Sequence, residues 1–345
     1  MFAGDWRGKY LEDCSRALEL IRERANRLIL GSNLLDYSQI QFFSSNYRVA
    51  LQNAREGLAV VVQESESNPN LKDVSLHHFI VPWSLLFLGE WGEALHEIDR
   101  RAAMMDTSAH YAQARANRLY RAFVHSFAID LAGVREICDS MLPSLESPSD
   151  VRFCSVLLAQ AELNMGNYER AHALLSATQE HMERLSVALD WYRRMLIEST
   201  LTELWLAKGD IAQARLAGEG FLKMALPTEE RTWRALAWEA SARVAMAELD
   251  LTRAQDCIAE ALSTMEGFEL PLADWRVQAT AFELCQKSGH RDLAERHLAR
   301  SRRTIIKLAH SLLAEEPLRQ TFLSAPLVRK ILGDSEPAQL RAQSA

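Results

Sequence analysis

The chain is poor in the residues that punctuate a backbone. Its 345 residues include 14 Gly and 9 Pro, roughly half of the ~12% found in an average protein, so turns must be few and elements long. That disfavours sandwiches, barrels and other many-turn β architectures. Cysteine is sparse too. Cys14, Cys138, Cys154, Cys257 and Cys285 are far apart, odd in number and without a C-x-x-C pair, which argues against a disulfide framework or zinc knuckle and fits a reducing compartment. The longest apolar stretch, Phe79 to Leu88, is broken by Pro82 and too short to cross a bilayer, and the first residues lack the apolar segment of a secretory signal. A cytoplasmic chain is expected. A basic excess is also missing. Lys and Arg number 39 against 46 Asp and Glu, a formal charge of −7, so no global field draws in nucleic acid or anionic lipid. What is present, 48% apolar and 25% charged residues, is ordinary core-forming material.

One short pattern recurs along this chain: a small residue, Asp or Asn, an aromatic or aliphatic residue, and Ala three further on. It opens at Gly4-Asp5-Trp6 and returns at Ser45-Asn46-Tyr47 with Ala50, Gly89-Glu90-Trp91 with Ala94, Ile129-Asp130-Leu131 with Val134, and Gly166-Asn167-Tyr168 with Ala171. Gly209-Asp210-Ile211 with Ala214, Leu249-Asp250-Leu251 with Ala254, and Gly289-His290-Arg291 with Ala294 complete the series. The eight starts lie 41, 44, 40, 37, 43, 40 and 40 residues apart. Each slot suits a turn between two antiparallel helices. The small residue takes a positive φ and closes one helix, and Asp or Asn caps the next. The bulky residue packs back across the turn, while Ala sits where two helix backbones approach closely.

Pro69, Pro143, Pro148, Pro227 and Pro271 fall roughly midway between these turns, where one hairpin would pass to the next. Pro82 lies inside an expected helix and predicts a kink or a late helix start there. Helices of ~16 residues, ~24 Å long, are expected between the marks. One hairpin alone cannot bury its apolar stripe, so neighbours must stack. The expected fold is all-α: an α-solenoid of antiparallel helix pairs in a right-handed superhelix. The array is expected over residues 1–314, with capping helices over 315–333 and a polar tail over 334–345. Gly4 is already at mid-hairpin, so the first helix of the first repeat is expected to be absent and that face open.

The turn resembles that of the tetratricopeptide repeats. The period of ~41 rather than 34 residues, and the rarity of an early Trp in the first helix, are closer to a long-repeat branch. Its examples are the C-terminal arrays of bacterial signal-transduction ATPases and of transcriptional regulators of the maltose-regulator type. Leu270-Pro271-Leu272-Ala273-Asp274-Trp275-Arg276-Val277, followed by 318–328, is similar to the closing segment of those arrays. The resemblance implies a sensor arm, since no G-x-x-x-x-G-K-[ST] loop, cyclase region or basic DNA-reading domain is present.

Residues able to carry chemistry are scattered. None of the ten His belongs to an H-E-x-x-H motif, and His77-His78 would point apart on a helix. Gly218-Glu219-Gly220 lacks the third glycine of a dinucleotide loop, and no G-x-S-x-G elbow or D-D-x-x-D motif occurs. No enzyme, metal or cofactor is therefore expected. Trp191, Trp233 and Trp275 recur at intervals of 42, followed by Arg193 and Arg194, Arg234, and Arg276. This register suits either a cation and aromatic ladder for a peptide or plain packing between hairpins. The basic run from Arg291 to Lys307 reads as a solvated helix face.

Counted from the turns, Tyr120, Phe123, Gln160, Glu203, Glu239, Arg243, Arg276 and Glu283 should face inward from first helices, with Trp191, Arg194, Trp233 and Trp275 as further groove candidates. Glu239 and Arg243, four apart, can pair with each other. The expected role is a non-catalytic sensor that binds a protein segment, peptide or small ligand, acting on an attached or separate ATPase, kinase or DNA-binding domain. The alternatives are a base-reading helical array, which the acidic balance and uneven period oppose, and a scaffold self-associating through the uncapped hairpin near Trp6.

Overall fold

A computed structural model describes residues 8–24, 27–65, 79–105 and 111–333. The turn at Gly4, Trp6, Pro69, His77-His78 and the 334–345 tail lie outside these residues. All regular structure among the described residues is helical, in 17 helices that pack neighbour to neighbour. They are α1 (Gly8–Arg24), α2 (Arg27–Phe43), α3 (Tyr47–Ser65), α4 (Ile80–Phe87), α5 (Trp91–Met104), α6 (Tyr111–Phe127) and α7 (Leu131–Met141). There follow α8 (Pro148–Asn164), α9 (Tyr168–Arg184), α10 (Asp190–Lys208), α11 (Ile211–Ala225), α12 (Arg231–Ala247), α13 (Leu251–Met265), α14 (Pro271–Lys287) and α15 (Arg291–His310). Two short helices, α16 (Pro317–Ser324) and α17 (Pro326–Leu332), close the described chain. None of the described helices is long and apolar enough to cross a membrane.

The seven described turns share one geometry. Ser45, Gly89, Ile129, Gly166, Gly209, Leu249 and Gly289 all have positive φ, between 57° and 83°. The next residue donates its backbone N–H to the carbonyl five back, as in Asn46 to Gln41 at 2.9 Å, Asp130 to His125 at 2.9 Å and Asp210 to Trp205 at 3.0 Å. This is the helix-closing bond that a left-handed residue permits. Asp130, Asp210 and Asp250 then cap the following helix through the N–H three residues on. Asn46 and Asn167 act differently: each amide donates backwards, to Gln41 Oε1 at 2.8 Å and Glu162 Oε2 at 2.6 Å, because Asn carries N–H donors that Asp lacks. The Ala slots are buried at all six positions.

Three of the left-handed residues have side chains, which strains the backbone by about 1 kcal/mol or more. Leu249 is 82% exposed, so its side chain offsets little of this. Leu249→Gly is expected to gain about 1 kcal/mol, read as a higher midpoint of thermal unfolding. Gly209→Ala should lose a similar amount, although its new methyl would meet no atom within 4 Å.

First helices of successive hairpins (α2, α4, α6, α8, α10, α12, α14) pack on one another, and each second helix packs on its own first helix and the next one. Burial follows this layering. Eleven of 17 residues in α8 and twelve of 17 in α12 are buried, against four of 17 in α9. α4 starts late, with Pro82 in its first turn, and all eight of its residues are buried.

Two hairpin tips also meet distant parts of the chain. Phe43 packs edge-on against Trp191 at 5.1 Å, and Arg48 grips Glu269 with two N–H groups at 2.6 and 2.9 Å. One hairpin later, Trp91 N–H donates to Ser311 Oγ at 3.1 Å and the Trp91 ring meets Phe322 at 4.9 Å. Gly92 belongs to this contact: a Cβ there would sit 2.2 Å from the Ser311 carbonyl oxygen.

Candidate ligand-binding cavity

Phe123, Gln160, Glu203, Arg243 and Glu283 each stand seven residues before the Asp, Asn or His of their own turn. One slot is thereby repeated on α6, α8, α10, α12 and α14, and because these helices pack side by side, all five residues line one cavity of about 560 Å³. Trp233, Glu239, Trp275 and Arg276 line it as well, and α17 contributes Pro326, Leu327 and Lys330. The same slot on α4 holds Trp83, which is buried in an aromatic cluster. Large rings therefore fill the slot on α4 and α6, and polar side chains occupy it from α8 onward.

Charges of opposite sign alternate across the cavity. Glu203 is bonded by Arg276 Nη2 and lies 3.5 Å from Arg243 Nη1. Arg243 Nε is 3.9 Å from Glu239, which accepts a hydrogen bond from Thr280 Oγ1 at 2.7 Å. Lys330 Nζ is 2.5 Å from Glu283. Burial alone would raise the Glu203 carboxyl, but the Arg276 and Arg243 guanidiniums reverse this and hold it below the usual carboxylate range. Arg276 is raised in turn: burial opposes its charge, and Glu203 and Glu239 more than offset that. Each guanidinium has five N–H groups, more than its bonds to Glu203 engage. Phe127, Trp233, Leu236, Leu272 and Trp275 supply apolar wall.

The remaining candidates lie elsewhere. Tyr120 lines a separate cavity of about 100 Å³ with Trp83, Phe153 and Arg193, where burial pushes its phenol up to about 12. Trp191 packs on Phe43 and Tyr192, and Arg194 is partly buried on α10. Neither lines the larger cavity. The cation and ring contacts among the described residues join Lys208 to Trp205 and Arg231 to Phe268, and neither stacks a register Arg on a register Trp. Sequence spacing missed Phe127, Thr280 and Lys330. The first two were within reach, each four residues from a candidate on its own helix. Lys330 was not, since it arrives on a short helix outside the period.

Among the described residues, no group of three or more His, Cys, Asp or Glu side chains could hold a metal ion. The chain matches no protein-family model and no curated protein.

Proposed function

We propose that this chain is a non-catalytic binding module whose inner cavity takes a short peptide segment or a small ligand of mixed polarity. The observation that carries this reading is the convergence of one repeated slot from five first helices on a single cavity. Its volume is within the range of small-molecule sites, which are ~300–1,000 Å³. Three carboxylates alternating with three cations, beside two indoles, suit a ligand bearing both charges and an apolar side chain. In this reading the array is a right-handed superhelix of helix pairs, an α-solenoid related to the tetratricopeptide repeats. It acts in the cytoplasm as the sensor arm of a bacterial signalling or transcriptional regulator, on an attached or separate effector domain.

A library of tetrapeptides, screened by thermal shift with hits measured by calorimetry, tests this. Ligands carrying a carboxylate and an apolar side chain are expected to bind, and Arg276→Ala should weaken them at least tenfold, about 1.4 kcal/mol. Retained affinity in Arg276→Ala, or peptide turnover by the purified chain, would count against the reading.

A further inference from the structure

Glu230 immediately precedes α12 as its N-cap and is completely buried. One carboxylate oxygen caps the helix, accepting the Trp233 N–H at 2.7 Å. The other faces the tip of the α2–α3 hairpin, 183 residues earlier in the chain, where the Tyr47 hydroxyl donates to it. Tyr47 also shares a 2.6 Å hydrogen bond with Thr232 Oγ1, and Ser45 Oγ accepts the Arg231 N–H at 2.6 Å. The tip of one hairpin is thus clasped to the head of a distant helix through a single carboxyl.

The groups around this carboxyl are neutral. From the α2–α3 tip come Ser45 and Tyr47, while Arg48 beyond them is exposed and engaged with Glu269 and Glu90. α10 contributes Tyr192, whose ring stands edge-on to Trp233 at 5.8 Å. The α11–α12 connection brings Thr228, and Glu229 presents its carbonyl to Ser45. The Arg231 guanidinium turns away, lying over the Phe268 ring at 4.2 Å and donating to the Thr264 carbonyl. An ionised carboxylate here has hydrogen bonds but no countercharge, and burying it that way is costly.

We propose that Glu230 is a proton-operated latch: protonated, it holds the α2–α3 hairpin against the head of α12, and ionised, it lets the two part. Burial pushes this carboxyl up to about 7, against the opposing hydrogen bonds from Tyr47, Trp233, Ser45 and Thr232. The closed state therefore binds the proton more tightly than an open state with the ordinary value of 4.5. The proton's contribution to closure is full below about 4.5, is lost as pH rises to about 7, and levels off above that, a change of up to about 300-fold in the closing equilibrium. The latch does not depend on what the cavity binds.

Hydrogen exchange of the full chain between pH 5 and 8, corrected for intrinsic chemical rates, tests it. Amides at 44–50 and 228–234 are expected to lose protection by about 70-fold between pH 5 and 8, most of it below pH 7, with a plateau above. In Glu230→Gln the profile should be flat, because the amide oxygen still caps Trp233 and the amide N–H groups can donate to Tyr47 and Thr232. Corrected protection that is constant with pH in the wild type overturns the latch, whether or not the variant folds. So does a Glu230→Gln profile that still follows the wild type.

Discussion

Trp83→Ala is expected to lower stability by ~3–5 kcal/mol. The reason lies in the position of the ring. Trp83 projects from the fully buried α4 and meets Phe79 at 4.7 Å, Phe123 at 5.3 Å, Tyr192 at 5.5 Å, Phe153 at 5.8 Å and Phe42 at 5.9 Å. Those partners stand on α2, α6, α8 and α10 or just before α4, so one side chain ties together five successive first helices. Truncation opens a void that five rigid helices cannot close. Trp83→Phe should be far milder, because the indole N–H is buried without a hydrogen-bond partner and its removal relieves a desolvated donor. Chemical unfolding followed by near-ultraviolet circular dichroism measures both. Equal losses in the two variants would show that the ring is not the keystone assigned to it.

Asp190→Ala is expected to be comparably damaging, ~3–5 kcal/mol, through charge rather than volume. Arg152 is completely buried on α8. It donates to Asp190 at 2.5 Å and to the carbonyls of His181 and Leu185 at the end of α9, where helix carbonyls lack partners of their own. Asp190 also accepts the Val187 N–H at 2.9 Å and lies 3.9 Å from Arg193, a guanidinium that burial pushes down to about 10. Removing Asp190 leaves Arg152 without its countercharge and takes from Arg193 the larger of the two carboxylate charges acting on it, the other being that of Asp150. Arg152→Met is expected to cost less, because Asp190 keeps Arg193 nearby and the methionine fills the space. Unfolding midpoints of the two variants give the ordering, and the reverse order would mean that the carbonyl contacts outweigh the ion pair.

The turns were legible in the sequence because a local rule makes them. A left-handed residue followed by a capping side chain closes one helix and opens the next within four residues, and even Ile129 and Leu249 could be placed from their neighbours Asp130 and Asp250. The cavity residues were legible at one remove, since counting back from a turn identifies a helix face. What could not be read depends on contacts between hairpins far apart in the chain. Trp191 shares the register of Trp233 and Trp275, yet its partner is Phe43, brought in by a hairpin far upstream. The Tyr47 to Glu230 contact and the arrival of Lys330 at Glu283 likewise join residues that no period connects. Glu230 itself reads locally as a helix cap, and only the distant hairpin makes it a buried acid.

The central claim, that one repeated slot builds a binding cavity, is tested most directly by fluorine NMR of the 5-fluorotryptophan-labelled chain titrated with a peptide hit. Trp233 and Trp275 line the cavity, whereas Trp205 packs on His172 and does not line it. Saturable shifts at Trp233 and Trp275, with Trp205 unmoved, are the expected result. Binding that moves Trp205 and leaves both cavity indoles unchanged would contradict the claim.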